Sequence, residues 1–393
     1  MRVLMISDSD SFGGERTYIN SLVGLLRQNN HQVYFFRLSQ DKNCQDEFNK
    51  IIIYQYKNKV QWFFAENVIS FRIYRMLRRY LKEVRPDIIH FHNIYKSTKS
   101  FLLACRGFKK IQTVHDFGSV CPLPVLTSKK NDFQMCLGAG RFLCFRRAGL
   151  KWQTILLDYG LFGSTWLKKK KIKNFICPSA KLADLLQKSG FKNVVFLPYF
   201  SDLAPSQSEL KQNYSPEFLY VGRLTLAKGV DYLLKAFKIT LNQLPNLKLK
   251  IVGDGEEKDN LIKLAEKLNL TKAISFTGAV ERERLSTFYQ NCLAVVIPSV
   301  WQEMFGLVAL EAMSFGKPIV AFNSGALSEV VHDGVNGFLV KKFDVRALAA
   351  KMVELVQSPT LARKLGQNGQ RFLRENFAKQ MHLIKIVDLY KSL

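Results

Sequence analysis

This 393-residue chain contains no run of about 18 uncharged apolar residues, the length a membrane span requires. Its nearest approach, Thr154 to Trp166, is shorter and carries Asp158. The first apolar run is followed at once by Asp8 and Asp10, which does not read as a secretory leader, so a cytoplasmic protein is expected. The seven cysteines include no CxxC pair and are expected as reduced thiols; Cys121, Cys136 and Cys144 form the only cluster, with spacing poorly matched to zinc. No G-x-S-x-G, HExxH or GxxxxGK[ST] motif is present, so the serine-hydrolase, zincin and P-loop signatures are missing. Acidic residues are scarce as well, 32 Asp and Glu against 58 Lys and Arg, a net charge of +26. Most of that imbalance lies in residues 1–200, which hold 33 basic and 13 acidic residues. A field of this sign attracts polyanions: nucleic acid, anionic lipid headgroups or phosphorylated substrates.

What is present is the grammar of a globular α/β protein, with 47% hydrophobic residues and a length that suits two domains. Met1 to Ile6 reads as a strand, followed by a Ser/Asp/Gly turn, a helical pattern through Tyr18, Ile19, Leu22, Leu25 and Leu26, and a second strand from His31 to Phe36. DIIHFH, IQTVHD and NFICPS add strands that end in polar residues. EFLYVGR restarts the pattern, and LKLKIVGDG, AISFTG, LAVVIPS and PIVAFN continue it. The Pro/Ser/Asn-rich stretch between the halves places the boundary near 198–215. The expected fold is α/β with two Rossmann-like domains facing each other across a cleft. The N-terminal domain, residues 1–198, is expected to bind acceptor, and residues 199–373 the donor; a C-terminal helix at 374–393 could pack back on the first.

The candidate site residues stand at strand ends and helix starts, where open α/β sheets bind ligands. Gly13 and Gly14 precede the first helix, where backbone N–H groups could approach a phosphate or merely form a turn. The loop is not GxGxxG, and no acidic residue follows the second strand at the expected place, so a dinucleotide site is disfavoured. Asp8-Ser9-Asp10 has the DxD form of metal-dependent sugar transferases but reads as a turn and cap. Arg223 and Lys228 flank a strand end and suit a diphosphate; ordinary surface charge is the alternative. In QEMFGLVALEAMSFGKP, Phe305-Gly306-Leu307 should open a helix whose free N–H groups and dipole form an anion site. Glu311, just over one turn in, suits a pair of ribose hydroxyls, and Glu303 precedes the helix. His90, His92, His115 and Asp116 close two neighbouring strands, as substrate ligands or as satisfied core groups.

Together, PSVWQEMFGLVALEAMSFGKPIVAFNSGALSEVVHDGVNGFLV, VGRLTLAKG, VGDG, FTGAV and the GG loop resemble family 4 retaining glycosyltransferases of GT-B fold, with a Glu-x7-Glu motif on Glu303 and Glu311. The resemblance implies that Arg223 and Lys228 bind the donor diphosphate with Phe305, Gly306 and Leu307, and that Glu311 takes the ribose. Val280 would lie beside the base, and Gly14 would close on the phosphates. His115 would face the reacting sugar, and Glu303 would lie near its hydroxyls. It also implies sugar transfer with retention, from a UDP- or GDP-sugar, with no metal or other cofactor. Glu15-Arg16 after the glycines, Met304 after Glu303 and Ala326 after Gly325 depart from the family pattern.

For the acceptor, the basic half is informative. Trp62–Arg85 is expected as one basic amphipathic helix, with Phe64, Val68, Phe71, Tyr74 and Leu77 set against Arg72, Arg75, Arg78 and Arg79. Arg146, Arg147 and Lys168, Lys169, Lys170 and Lys171 extend the positive surface. With His92 these residues are the candidate acceptor or membrane contacts of a peripheral enzyme at the inner face of a membrane. Its acceptor would be a glycan or lipid-linked glycan, in polysaccharide or glycolipid biosynthesis. A core-facing helix with a solvated basic back is the alternative, and a non-enzymatic nucleic-acid-binding or sugar-nucleotide-binding protein is the rival function.

Overall fold

A computed structural model describes residues 1–7, 13–39, 51–53, 69–95, 97–119, 164–203 and 216–393. Asp8 to Asp10, Phe64, Val68, Arg146, Arg147, Cys121, Cys136 and Cys144 lie outside the described residues. The chain divides into two compact units, Met1–Pro198 with Leu383–Leu393, and Tyr199–His382.

In the N-terminal unit, β1 (Arg2–Ser7), β2 (Gln32–Ser39), β3 (Ile51–Ile53), β4 (Ile88–Phe91), β5 (Lys110–Thr113), β6 (Asn174–Cys177) and β7 (Val194–Phe196) form one sheet, ordered β3-β2-β1-β4-β5-β6-β7. Every pairing is parallel. Val3, Leu4, Met5 and Ile6 are wholly buried, as strands covered by helices on both faces require. The helices of this unit are α1 (Gly14–Gln28), α2 (Phe71–Val84), α3 (Thr98–Ala104) and α4 (Ala180–Lys188); residues 164–171 are helical too.

The C-terminal unit repeats the scheme. Strands β8 (Glu217–Val221), β9 (Lys248–Val252), β10 (Ile274–Gly278), β11 (Ala294–Ile297), β12 (Ile319–Phe322) and β13 (Gly337–Val340) are ordered β10-β9-β8-β11-β12-β13, again all parallel. Its helices are α5 (Val230–Gln243), α6 (Lys258–Lys267), α7 (Arg282–Asn291), α8 (Leu307–Ser314), α9 (Leu327–Val330), α10 (Val345–Gln357) and α11 (Pro359–Asn376). A last helix, α12 (Lys379–Lys391), carries the chain back into the first unit, where the Tyr390 hydroxyl bonds His90 Nδ1 at 2.7 Å. In each sheet the strand order reverses at one place, between β1 and β4 and between β8 and β11. Ligands of doubly wound sheets bind beyond the carboxyl ends of the strands at that reversal.

The basic helix differs from its sequence reading. It begins at Phe71, because the Ser70 hydroxyl accepts from Ile73 N and caps it. Its buried stripe is Ile73, Leu77, Tyr80, Leu81 and Val84, whereas Phe71 is 68% exposed beside the exposed Arg72, Arg75 and Arg79. The supposed apolar stripe through Phe71 and Tyr74 was therefore out of phase with the core. Arg78 is turned inward and donates to the Ala104 carbonyl at 3.3 Å. Among the described residues no helix is long and apolar enough to cross a membrane.

Candidate active site

The C-terminal cluster is built on the loops after β8 and β11. Arg223 and Lys228 follow β8, with Arg223 exposed and Lys228 on a 3-10 turn, Leu226–Lys228. Gly229 sits at φ +64, and a Cβ there would come within 2.2 Å of the Pro298 carbonyl oxygen, so the β8 and β11 loops meet at a glycine. That approach brings Lys228 Nζ to 2.5 Å from Glu303 Oε1, which also accepts from the Ser299 hydroxyl at 2.5 Å. Burial acts to raise the Glu303 carboxyl; Lys228, Ser299 and Arg223 outweigh it, and the group lies below its ordinary value.

Glu303 is held from behind by Gly325. This glycine has φ +58, and a Cβ on it would fall 2.3 Å from the backbone N and O of Glu303. The next residue, Ala326, has an ordinary φ of −81 and donates its N–H to the Glu303 carbonyl at 2.7 Å. Glycine is needed at 325 and not at 326, which accounts for the Gly-Ala sequence.

Gly306, at φ +113, is the N-cap of α8, where a Cβ would meet Leu327 Cδ2 at 2.8 Å. No side chain caps the helix, so its first N–H groups are available to an anion. Phe305 is buried against Tyr199 and Phe377 and anchors that turn. Glu311 is nearly buried within α8: its Oε1 accepts from Arg282 Nη1 at 2.8 Å and its Oε2 from the Tyr289 hydroxyl at 2.7 Å. Val280, half-buried, lies two residues before the start of α7, the helix that supplies Arg282 and Tyr289.

The N-terminal cluster lies beyond β1, β4 and β5. Gly13 caps α1 at φ 121, and Gly14 is exposed. Glu15 Oε2 accepts from Asn93 Nδ2 at 2.9 Å, and the same amide reaches Asp116 Oδ2 at 3.0 Å. Asp116 Oδ1 also accepts from the Tyr95 hydroxyl and from Gly118 N. Burial raises the Asp116 carboxyl against those hydrogen bonds. His92 is fully buried, with Nδ1 2.9 Å from His115 Nε2 and its own Nε2 without a partner. Burial lowers His115 to about 3 and His92 well below the usual histidine value, so both imidazoles are neutral at physiological pH. His90 is a core histidine, bonded to Tyr390 and to the Thr113 hydroxyl.

Two expectations are corrected here. His92 is no acceptor contact, because it is sealed in the interior and orients His115. Lys168 is 2% exposed, with Nζ 4.7 Å above the Tyr95 ring, so it belongs to the interior and not to a basic surface. Lys169 is tied to the Ser189 carbonyl; Lys170 and Lys171 are exposed. Arg282, Tyr289, Ser299, Asn93 and Tyr95 were not singled out from sequence. Two turns separate Arg282 from Tyr289 on α7, but nothing local in the sequence assigns that face to Glu311. Among the described residues no group of three or more His, Cys, Asp or Glu side chains is placed to hold a metal ion.

Comparison with known proteins accords with this geometry. Residues 12–204 match the family described as Glycosyltransferase Family 4, and residues 204–372 match Glycosyl transferases group 1. The chain belongs to this glycosyltransferase family, and its two Rossmann-like units are those of the GT-B fold. It is similar to sucrose-phosphate synthase from Thermosynechococcus elongatus (TM-score 0.77, 22% identity, covering 100% of this chain and 98% of that one). It is also similar to the Anabaena protein HepE solved with UDP and glucose (TM-score 0.76, 17% identity, covering 100% of both chains). An uncharacterized glycosyltransferase of Methanocaldococcus jannaschii is 34% identical over 176 residues, which is 44% of this chain and 48% of that protein. The chain spans about half the length of the curated relatives it matches.

Proposed function

We propose that the protein transfers a sugar, with retention, from a UDP- or GDP-sugar to a glycan or lipid-linked acceptor. The observation that carries this reading is the contact of Lys228 with Glu303, just before the uncapped N-terminus of α8 at the β8/β11 reversal, with Arg223 on the same loop after β8 and Glu311 one turn deeper. Cations and a helix dipole suit a diphosphate, and a nearly buried carboxylate beyond them suits the ribose of the same molecule. The UDP and glucose in the HepE structure support a nucleotide-sugar donor.

In the proposed reaction the bond from the sugar C1 to the β-phosphate oxygen breaks, and the acceptor hydroxyl oxygen bonds to C1 on the same face. The hydroxyl proton passes to the departing phosphate oxygen. Negative charge grows on the leaving diphosphate, where Lys228, Arg223 and the first N–H groups of α8 stabilise it. An ammonium carries three donors, so the bond from Lys228 to Glu303 leaves capacity for a phosphate oxygen. Glu303 holds Lys228 in place and directs its second oxygen to the sugar hydroxyls. Neutral His115, oriented by His92, hydrogen-bonds the transferred sugar without adding a positive charge. Gly14 contributes backbone N–H near the phosphates, Val280 contacts the base, and no metal is assigned a role.

The exposed face of α2, with Phe71, Arg72, Arg75 and Arg79, joins Lys170 and Lys171 as the proposed contact with an anionic membrane surface that carries the acceptor. Release of nucleotide diphosphate from a panel of UDP- and GDP-sugars tests the reading. Binding without release would favour a sugar-nucleotide-binding protein that lacks turnover.

A further inference from the structure

Glu311 is the most buried carboxylate of the donor cluster: its side chain is 5% exposed, against 28% for the Arg282 side chain paired with it. A carboxylate removed from water has to be paired or it gives up its charge. The pairing here uses one donor on each oxygen, Arg282 Nη1 on Oε1 and the wholly buried Tyr289 hydroxyl on Oε2. An ionised carboxylate offers about four lone-pair sites, two on each oxygen. Each oxygen of Glu311 therefore keeps one acceptor position beyond those that Arg282 and Tyr289 fill. One O–H donor to each oxygen is what a vicinal diol supplies. Arg282 is fixed in turn, because its Nη2 is bound to Asp202, on the segment just past Pro198.

We infer that Arg282, braced by Asp202, and Tyr289 are positioning residues that hold the Glu311 carboxylate oriented for the 2′,3′-diol of a ribonucleotide, so that this pair sets the preference for ribo over 2′-deoxy donors. The inference rests on the assignment of Glu311 to the ribose. Both α7 residues act through Glu311, and neither is required to touch the nucleotide. Their positions, Arg282 in the first turn of α7 and Tyr289 two turns later, let one helix clamp one carboxylate from two sides.

Titration calorimetry of the full chain with UDP, GDP, dUDP and dGDP tests this. Wild type should bind one ribonucleotide about tenfold to a hundredfold more tightly than its deoxy counterpart. Arg282→Ala should bring that ratio close to one, weakening the ribonucleotide more than the deoxynucleotide, which keeps only its 3′-hydroxyl to lose, and Arg282→Lys should restore part of it. Tyr289→Phe and Asp202→Asn should reduce the ratio less, and both preserve shape if Arg282→Ala folds poorly. An unchanged ratio in folded Arg282→Ala, or tighter ribonucleotide binding, would overturn the inference. Glu311→Gln separates the two levels. If it abolishes the ratio and Arg282→Ala does not, only the role of Arg282 fails; if wild type shows no ratio at all, the ribose assignment itself fails.

Discussion

Lys228 Nζ and Glu303 Oε1, 75 residues apart in sequence, lie 2.5 Å apart at the reversal point of the C-terminal sheet. Both side chains are less than one-third exposed, so the pair is only partly screened by solvent. Lys228→Ala leaves the carboxylate with the Ser299 hydrogen bond and the more distant charge of Arg223, and a loss of about 1–3 kcal/mol in unfolding free energy is expected. Because the folded Glu303 carboxyl lies below its ordinary value, its contribution is complete above the unfolded pKa near 4.5 and is lost as pH falls through the folded value. Urea unfolding at pH 7, 5 and 3.5 should show wild type losing more stability toward acid than Glu303→Gln. Parallel curves would contradict the pairing.

Gly325 is expected to tolerate no side chain. Gly325→Ala adds a Cβ into the Glu303 backbone and demands a left-handed φ from alanine, which together cost about 1–2 kcal/mol or more. Turnover should fall with it, because Glu303 must shift. Ala326→Gly should be nearly neutral in both respects, and thermal melting with a transfer assay distinguishes the two.

The His92–His115 pair predicts a sign in the pH dependence of stability. Both groups are held neutral by burial, with His115 lowered to about 3. The unfolded chain takes up protons below about 6.5 that the folded chain refuses, so stability is full above that pH and falls below it. Each group contributes a slope of up to about 1.4 kcal/mol per pH unit. His115→Asn should flatten the fall between pH 6.5 and 4 in chemical denaturation, and an unflattened curve would refute the neutral pair.

Membrane contact is predicted to reside on α2. Replacing Arg72, Arg75 and Arg79 together by Gln should weaken partition onto phosphatidylserine vesicles, by about 1 kcal/mol per residue. Phe71→Ser should weaken it further. Lys168→Gln should act on folding and not on vesicle binding, since that side chain is interior. Sedimentation with vesicles at two salt concentrations measures both effects.

How much of this was legible beforehand follows from which signals are local. The strands that end at Phe91, Val221 and Ile297, and the helix that opens at Leu307, are written in short apolar runs bounded by polar, glycine or proline residues. Gly306 and Glu311 were accordingly placed correctly on α8. The partners of Glu311 were not legible, because Arg282 lies 29 residues away and nothing in an exposed-looking ERER segment marks one Arg as paired. His92 and His115 read alike as strand-end histidines. Only the stacking of neighbouring strands shows that one is sealed and the other is oriented by it. The phase of α2 is not legible in sequence, because a serine within an amphipathic run looks like helix interior, whereas Ser70 caps the helix. Lys168 carries no local sign that it will lie over Tyr95.

Catalysis at the site of Glu303 and Lys228 can be tested directly. The most direct test is to incubate the full chain with labelled UDP- and GDP-hexoses and lipid-linked sugar acceptors on anionic vesicles, following both nucleotide release and label in the acceptor. Transfer is expected from at least one donor, with the donor's anomeric configuration kept in the product. Lys228→Ala and His115→Ala should lower the rate by about a hundredfold or more while the chains stay folded. Nucleotide-sugar binding without any transfer or release, or transfer unaffected by Lys228→Ala, would contradict it.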